Sequence, residues 1–399
     1  MTTRIPRVLA VAASLACGAT ATLAAGVPLV RIDTEQKATA AFITAYHSTE
    51  STYHHDVTIP GSILLGLRAL QTASQATTPV ALTTLPAGVE VPCATSGSMV
   101  ARMAPQMPRV FRFEWRQCRY PQDGYDQTLD GTGEMVLLSD SFTPDKVASL
   151  RLGSQGRDLV QTQILSFPSF SVRNDNLRNI LLVGNIPMKD LRSLVPNSFT
   201  PFTYLVNGFV DLQQTSQFGS DPASVNGQRE TFDAVTYTGT ATSNADGTRS
   251  DTDRTTLFGK LTYTRREPPP YGTWNEIYRF LGYRVHDTFD WAGLESSQTI
   301  DGGLDLTWGP FGAGCLSGAY DFRTKSPIRR QMTGSQSYTG GEIAINGERV
   351  SLYTAANVPP TLPVPINGLL VHIEAPGVGT FNYDVNDLLN GLRPVSRCL

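Results

Sequence analysis

The sequence predicts a mainly β protein: a large antiparallel meander of hairpins, arranged as a sheet, a sandwich or a partly closed barrel, with a short helical N-terminal segment. Two observations predict this fold. From about residue 91 onward, apolar and polar residues alternate, which is typical of strands with one buried face. The dipeptides Asn-Gly and Asp-Gly also recur beside these alternating segments, which favours hairpin turns.

The alternation is clearest in residues 110–116, where three aromatic residues interleave with three charged ones: Phe111, Phe113 and Trp115 against Arg112, Glu114 and Arg116. Shorter segments with the same period are 235–238, 261–264, 304–308, 342–345 and 350–353. One apolar face and one polar face indicate antiparallel pairing with one side of the sheet in water.

A short motif, an aliphatic residue followed by Asn or Asp and then Gly, occurs at Leu129-Asp130-Gly131, Val206-Asn207-Gly208, Val225-Asn226-Gly227, Ile300-Asp301-Gly302, Ile345-Asn346-Gly347 and Ile366-Asn367-Gly368. Both dipeptides tolerate the positive φ of type I′ turns. Because the spacing is irregular, the motif predicts hairpins of unequal length rather than a solenoid.

The segment before the strands is predicted to be helical. Asp33 or Thr34 is a candidate N-cap for a helix through Ala38, Ala41, Phe42 and Ala45, and Ser62 for a second helix with Leu64, Leu65, Leu67 and Leu70 on its apolar side. Residues 77–92 have the Thr- and Pro-rich composition of a connector. We therefore divide the chain into a signal segment (1–26), a helical segment and linker (27–82) and a β region (83–399), with candidate halves 83–265 and 266–399.

Thr273 and Glu276 have the spacing of a capping box, which predicts a short helix near 274–281.

Residues 1–26 are expected to form an export signal, because Arg4 and Arg7 precede an uncharged stretch that runs from Val8 to Val30. Three outcomes stay open: cleavage after small residues near Ala21 or Ala25, lipidation at Cys17, or retention as an anchor. The predicted localisation is the periplasm or the extracellular space, with a membrane tether only at the N-terminus.

Four cysteines follow Cys17, and an even number suits an oxidising compartment. The favoured pairs are Cys93 with Cys118 and Cys315 with Cys398; the alternative is that all four are free and buried.

Several of these elements together resemble a loose group of uncharacterised, exported, β-rich proteins of Gram-negative bacteria. The resembling patches are Cys93 with Ser96-Gly97-Ser98 up to Leu129-Asp130-Gly131, and Cys315-Leu316-Ser317-Gly318 up to Ile345-Asn346-Gly347. The resemblance implies a fold and a compartment but no activity. The chain departs from it where a further cysteine is expected before Gly340, since residues 332–339 contain none.

No motif identifies a catalytic, cofactor or metal site. A Gly-x-Ser-x-Gly elbow, a P-loop and a Cys-x-x-Cys pair are all absent from the sequence. His54-His55 is interpreted as an exposed loop and His372 as a strand residue on the wet face. Five acids were considered as glycosidase pairs, and none stands out: Asp140, Asp145, Asp287, Asp290 and Glu295. Residues 244–253 are interpreted as a hydrophilic hairpin tip rather than a calcium loop, and Trp115, Trp274, Trp291 and Trp308 as core residues.

Charge further narrows the function. The formal net charge is −3, from 32 basic and 35 acidic residues, so nucleic acid is an unsuitable partner. The best-supported function is a non-enzymatic binding or structural role in the cell envelope, with an envelope protein, a lipid or a glycan as open partner classes. The alternatives are a secreted hydrolase with an unrecognised site and an outer-membrane β-barrel.

Overall fold

The structure is a computed structural model. It describes residues 28–45, 80–81, 88–104, 107–122, 125–137, 141–142, 147–153, 157–165, 169–185, 200–218, 224–244, 248–267, 272–307, 317–331, 337–365, 368–385 and 388.

Most of the described residues are in antiparallel strands, and one helix, α1, covers residues 35–45. The strands are β1 (Val80–Ala81), β2 (Gly88–Pro92), β3 (Ser96–Ala104), β4 (Met107–Gln122), β5 (Tyr125–Leu137), β6 (Ser141–Phe142), β7 (Val147–Leu152), β8 (Leu159–Leu165), β9 (Ser169–Asn185), β10 (Thr200–Phe218), β11 (Ser224–Ser243), β12 (Arg249–Glu267), β13 (Gly272–Asp290), β14 (Glu295–Thr307), β15 (Gly318–Gln331), β16 (Ser337–Ile345), β17 (Glu348–Tyr353), β18 (Leu370–Ala375) and β19 (Gly379–Asp384). The predicted mainly β class is confirmed.

All strands except the small β1–β6 pair belong to one antiparallel array. Strands β2, β3, β4 and β5 pair in that order. Strand β5 then pairs with both β7 and β8, and each of these pairs with β9. From β9 onward, each strand pairs with the next in chain order as far as β19. The strand order also places β19 beside β2, so the array curls round on itself. Neighbours in sequence are mostly neighbours in space, as a meander of hairpins requires.

The two faces of the array differ as the alternation predicts. On β4, Phe111 and Trp115 are fully buried and Phe113 is 3% exposed, whereas Arg112 and Arg116 lie on the opposite, exposed face. The buried face continues around the array with Tyr278, Tyr283, Tyr320, Phe322 and other apolar side chains. A period of two in the sequence therefore places aromatic residues in one continuous core.

Helix α1 begins where the sequence predicts, and Thr34 rather than Asp33 caps it. The Lys37 amide donates to Thr34 Oγ1 at 3.2 Å, and the Ala38 amide donates to the Thr34 carbonyl at 3.0 Å. Asp33 instead accepts from Lys37 Nζ at 2.8 Å. A Thr N-cap satisfies an amide that the first helical turn leaves without a partner.

Helix α1 is buried on all sides, because every residue from Ala38 to Ala45 is buried. Four of these residues are alanines, whose small side chains allow close contact with the sheet on more than one side. The helix is held at its N-terminal end by a hydrogen bond from Tyr383 Oη to Glu35. The array therefore packs around α1 as part of its core. Within the described ranges, no helix is long and apolar enough to cross a membrane.

The array contains two β-bulges with the same construction. In β4, Gln117 has a φ of 46°, and in β11, Ala234 has a φ of 50°. Few residues other than glycine adopt this conformation, which is unfavourable by roughly 1 kcal/mol. In each case the bulged amide donates to a side chain of a neighbouring strand: Gln117 N to Asp130 Oδ1 of β5 at 3.1 Å, and Ala234 N to Asn207 Oδ1 of β10 at 2.8 Å.

A glycine lies on the other side of each bulge. A Cβ on Gly97 of β3 would lie 2.0 Å from the Gln117 carbonyl oxygen, and a Cβ on Gly259 of β12 would lie 2.5 Å from the Ala234 carbonyl oxygen. Only glycine therefore fits beside either bulge. We call each set of bulge, Asx acceptor and facing glycine a bulge clasp.

The predicted hairpin turns at the Asx-Gly motifs are wrong for four of the motifs. Among the motifs that the structure describes, only Asn346-Gly347 forms a hairpin turn, between β16 and β17. The motifs at 130, 207, 226 and 301 lie within strands, and the motif at 366–368 lies largely outside the described residues. The physical reason is that an Asx acceptor followed by a glycine with positive φ also occurs inside strands, as at Asp130-Gly131 and Asn207-Gly208 beside the two bulges. Thus Asp301 Oδ1 accepts from the Thr324 amide at 3.1 Å, within the sheet.

Two further expectations are corrected. The helix predicted near 274–281 is part of strand β13, because Tyr278 and Phe280 alternate toward the core and outweigh the capping-box spacing. The connector predicted at 77–92 contains β1 and β2, since Val89 and Val91 alternate with Glu90 in a strand pattern. The second helix, capped at Ser62, lies outside the described residues.

The predicted Cys93–Cys118 disulfide is present, with the two Cα atoms 5.4 Å apart and a sequence separation of 25. It joins the end of β2 to β4, next to the Gln117 bulge. Cys17, Cys315 and Cys398 lie outside the described residues, so the second predicted pair stays a prediction.

Reduction of the disulfide should destabilise the protein. Opening a loop of this length is expected to lower the free energy of unfolding by about 3 kcal/mol, because the unfolded chain gains conformational freedom. Urea unfolding with and without dithiothreitol measures the change. A Cys93→Ala/Cys118→Ala variant should lose this part of the shift and keep only the contribution of a Cys315–Cys398 bond, and an undiminished shift in that variant would contradict the assignment.

Removal of a clasp acceptor should also destabilise the fold. In Asn207→Ala the Ala234 amide loses its partner, which is expected to lower the free energy of unfolding by about 1–3 kcal/mol. Asn207→Asp keeps the acceptor oxygen, as Asp130 does in the other clasp, and should retain most of the stability. Urea unfolding of both variants tests this, and equal stabilities for Asn207→Ala and the wild type would refute the clasp.

Candidate functional site

The exposed face of the array carries cross-strand ion pairs. Arg229 binds Asp211 through two hydrogen bonds of 2.6 and 2.8 Å, and Arg284 binds Asp253 through two of 2.8 and 2.5 Å. Hydrogen bonding to Asp211 raises the pKa of Arg229, so its positive charge is secure at any physiological pH. Each exposed pair contributes little to stability, at most about 1 kcal/mol. Together the pairs make this face a charged surface that faces water.

One open pocket interrupts this surface at the ends of strands β12 to β16. Its cavity volume is about 360 Å³, and we call it the arginine pocket. Its lining contains three cations, two acids and several neutral hydrogen-bonding side chains: Arg249, Arg329, Arg330, Asp290, Glu295, Thr288, Ser296, Ser297, Gln331 and Thr339. Such convergence of basic and hydroxyl groups suits an acidic ligand.

Strand register brings these residues together. Arg249 of β12 lies opposite Asp290 of β13, and Ser297 of β14 lies opposite Arg329 of β15. The turn from Asp290 to Glu295 closes the β13–β14 hairpin, with the Gly293 amide donating to Asp290 Oδ1 at 2.9 Å. One carboxylate oxygen of Asp290 is therefore already occupied by a hydrogen bond within its own turn.

Two of the three arginines have room for a ligand. Within the described ranges, neither Arg249 nor Arg329 forms an ion pair with a carboxylate, although most of the exposed arginines nearby do. Both side chains are exposed, so their guanidinium groups are hydrated and accessible. A carboxylate, sulfate or phosphate in the pocket would therefore replace water rather than break an existing pair.

A hydrogen-bonded cluster of Asp251, His286 and Thr288 borders the pocket. Asp251 Oδ2 accepts from the Thr288 hydroxyl at 3.1 Å and lies 2.9 Å from His286 Nε2. In a nucleophilic triad the hydroxyl bonds to the histidine, which removes its proton. Here the hydroxyl bonds to the acid instead, so the cluster does not activate Thr288 as a nucleophile.

The structure brings two of the five candidate acids together and separates a third from them. Asp290 and Glu295 lie opposite each other at the arginine pocket. Asp287 lies on the buried face, 8% exposed, and its Oδ1 accepts from Gln298 Nε2 at 2.7 Å. Asp140 and Asp145 lie outside the described residues. Among the described acids, Asp290 and Glu295 therefore share a site and Asp287 does not.

The sequence predicted His372 on the water-facing side of its strand, and this prediction is wrong, because His372 is only 6% exposed. Its Nδ1 lies 2.8 Å from Asn382 Oδ1, its Nε2 lies 3.2 Å from Glu374 Oε1, and its ring packs near Tyr353. Strand β18 is buried along most of its length on both faces, which alternation alone does not reveal. The role of His372 is therefore structural. His47, His54 and His55 lie outside the described residues.

The remaining predictions have mixed outcomes. Residues 244–253 include a hairpin tip as predicted: the Asn244 and Arg249 backbones pair, and Asn244 Nδ2 donates to Thr248 Oγ1 at 2.8 Å. Trp115 is fully buried, but Trp291 is 54% exposed, so its assignment to the core is wrong. It stacks on Phe289 beside the hairpin turn. The side chains of Trp274 and Trp308 are outside the described set. Among described residues, no group of three or more His, Cys, Asp or Glu side chains is arranged to hold a metal ion.

Several carboxyl groups are buried that the sequence did not mark, and Glu348 is the most isolated of them. Glu348 is 1% exposed, and neither of its oxygens has a hydrogen-bond partner among the described residues. Burial raises its pKa to about 9, so the group is neutral at pH 7. Burial likewise raises the pKa of the neighbouring Tyr320 to about 12. The signal was present, since Glu348 shares a face with Val350 and Leu352 in an alternating strand.

Glu348 should make the stability depend on pH. The unfolded carboxyl titrates near 4.5 and the folded one near 9, so the folded state holds an extra proton between these values. Stability therefore falls as the pH rises from about 4.5 to 9, by on the order of 3 kcal/mol at pH 7. Glu348→Gln should abolish this fall and be more stable than the wild type at pH 8. Urea unfolding across this pH range tests the prediction, with exposed Asp233→Asn as the control. A Glu348→Gln variant with the wild-type slope would contradict it.

The arginine pocket was missed as well, because its members come from separate strands. The adjacent Arg329 and Arg330 were the available signal, but only the strand register places Arg249 beside them. Comparison with known proteins adds no assignment to this site, since no family model, no curated protein and no solved structure matches the chain.

Proposed function

We propose that this chain is an exported, non-enzymatic protein that binds a small organic acid in the arginine pocket. The observation that carries the proposal is the convergence of Arg249, Arg329 and Arg330 on one open, hydroxyl-lined pocket. Guanidinium groups bind carboxylates through paired, charge-assisted hydrogen bonds. The strands that carry the three arginines form a hydrogen-bonded sheet, so the site is organised before the ligand arrives.

Export is supported by two features. The basic and apolar pattern of residues 1–26 is that of a secretory signal, and the Cys93–Cys118 disulfide is typical of an oxidising compartment. The proposed location is the periplasm or the extracellular space. Lipidation at Cys17 and retention of the segment as an anchor stay open.

A binding role is favoured over the two alternatives. A hydrolase with a hydroxyl nucleophile requires that hydroxyl to bond to a base, and the pocket hydroxyl beside His286, that of Thr288, donates to Asp251 instead. An outer-membrane barrel requires an apolar face toward lipid, whereas the exposed face here carries pairs such as Arg229–Asp211 and Arg284–Asp253.

Binding at the arginine pocket is tested by isothermal titration calorimetry with a panel of small carboxylates, from acetate to citrate. We expect saturable binding that weakens as salt is added, because the interaction is between charges. Arg329→Gln should weaken the binding at least about tenfold, the usual effect of removing a charge-assisted hydrogen bond.

Lys325→Gln is the matched control, because the substitution also removes one positive charge. Lys325 is exposed on the same strand and lies outside the pocket lining. It should bind like the wild type. If no acid in the panel binds, or if both variants lose affinity equally, the pocket is not an acid-binding site.

A further inference from the structure

An exposed apolar turn flanks the arginine pocket. Residues 291–294 connect β13 to β14, and the residues on either side of them, Asp290 and Glu295, both line the pocket. Trp291 is 54% exposed and Leu294 is 43% exposed. Among the described residues, five large hydrophobic side chains are exposed, and two of them lie in this one turn. Apolar side chains that are exposed together, rather than singly, are typical of a binding site.

The indole of Trp291 is held in place although it is exposed. It stacks on Phe289, with the ring centroids 5.7 Å apart and the planes inclined by 11°. The Trp291 amide donates to the Thr248 carbonyl at 2.7 Å, and Thr248 directly precedes Arg249 of the pocket lining. The backbone of Trp291 is therefore fixed between two residues of the pocket. An aromatic ring that is already fixed loses little conformational freedom when a ligand packs on it.

The pocket itself favours a ligand with hydroxyl groups as well as an acid. Besides its arginines, it is lined by two carboxylates, Asp290 and Glu295, and by neutral polar groups such as those of Ser297 and Gln331. The carboxylates repel the acidic group of a ligand but accept hydrogen bonds from its hydroxyls. A ligand made only of an acid and a hydrocarbon body would leave these polar groups without partners, which weakens binding.

The size of the pocket suits one ring. Its volume of about 360 Å³ is near the lower end of the range for small-molecule sites. Arg329 of β15 and Asp290 of β13 are separated by strand β14, which places their backbones about 10 Å apart. A six-membered ring with its substituents spans such a gap. A ligand whose acid reaches Arg329 therefore directs its other end toward the turn that carries Trp291.

We infer that the ligand is a sugar acid in its ring form. Its carboxylate lies beside Arg329, its hydroxyls donate to Asp290 and Glu295, and one face of its ring packs on the indole of Trp291. The C–H groups on the face of a sugar ring match the electron-rich face of an aromatic ring, while the hydroxyls at the ring edge stay available for hydrogen bonds. This inference rests on the proposed acid-binding function and adds the ligand class.

The test is calorimetric titration of the full chain with methyl glucuronide and methyl galacturonide, two sugar acids whose rings cannot open. Three comparison ligands each lack one feature: methyl glucoside lacks the charge, gluconate lacks the ring, and cyclohexanecarboxylate lacks the hydroxyls. At least one sugar acid should bind about tenfold more tightly than each comparison ligand, because each of these forfeits a charge-assisted bond, the ring contact or several hydrogen bonds.

Two variants locate the ring. Trp291→Ala should weaken binding of the sugar acid roughly tenfold, since the buried apolar contact is lost, and should leave acetate binding unchanged. Trp291→Phe should retain most of the affinity but lose the change in tryptophan fluorescence that the sugar acid causes in the wild type. Phe258→Ala is the matched control: it removes an exposed aromatic residue of β12 that lies outside the pocket lining, and it should bind like the wild type.

The outcomes separate the two proposals. If simple carboxylates bind, but neither sugar acid binds more tightly than gluconate, the ring ligand is overturned and acid binding at the arginine pocket is retained. The ring contact also fails if Trp291→Ala and Phe258→Ala have equal effects, or if Trp291→Phe keeps the fluorescence change. Absence of binding for every acid overturns both proposals. If Trp291→Ala fails to fold, the fluorescence of Trp291→Phe decides.

Discussion

The hydrogen bond from a bulged amide to an Asx side chain of a neighbouring strand is the interaction on which the rest of this structure depends. A long antiparallel array buries an internal helix only if its strands bend, and β-bulges bend strands and increase their twist. Each bulge leaves an amide outside the regular ladder, at a residue with an unfavourable backbone conformation. Asp130 and Asn207 accept those amides, and Gly97 and Gly259 leave space for the displaced backbone. The same arrangement in β4 and β11 indicates one structural solution used twice.

Because the strands bend, the core of the array contains a whole helix. Helix α1 is enclosed rather than laid on a surface, so its residues 38–45 are alanine-rich and buried on every side. The enclosed core also contains the neutral carboxyl group of Glu348, which has no hydrogen-bond partner among the described residues. A buried carboxyl without partners destabilises the folded state when it ionises. Ionisation of Glu348 at high pH therefore lowers the stability of the folded state.

Local patterns in the sequence predict much of the fold, and they fail where a residue's environment is set by distant strands. The alternation in β4 identified the buried face because a period of two depends only on neighbouring residues. The Thr34 cap of α1 was predictable for the same reason. The Asx-Gly motifs were recognised but assigned to turns, because an Asx residue followed by a glycine with positive φ also occurs beside a bulge within a strand, as at Asp130-Gly131 and Asn207-Gly208. His372 and Trp291 were misplaced because burial of β18 and exposure of the β13–β14 turn depend on packing between segments. The arginine pocket joins residues 249 and 329, which no local pattern relates.

Amide hydrogen exchange on the intact protein tests the central claim most directly. Gln117 and Ala234, at the two bulges, donate to side chains rather than to a backbone ladder. If the clasps hold the curvature, these amides should exchange as slowly as the ladder amides beside them, and the amides of residues 38–45 in α1 should be equally protected. Rapid exchange at Gln117 and Ala234, with protected ladders on either side, would show that the bulges open independently and that the clasps do not hold the array around its helix.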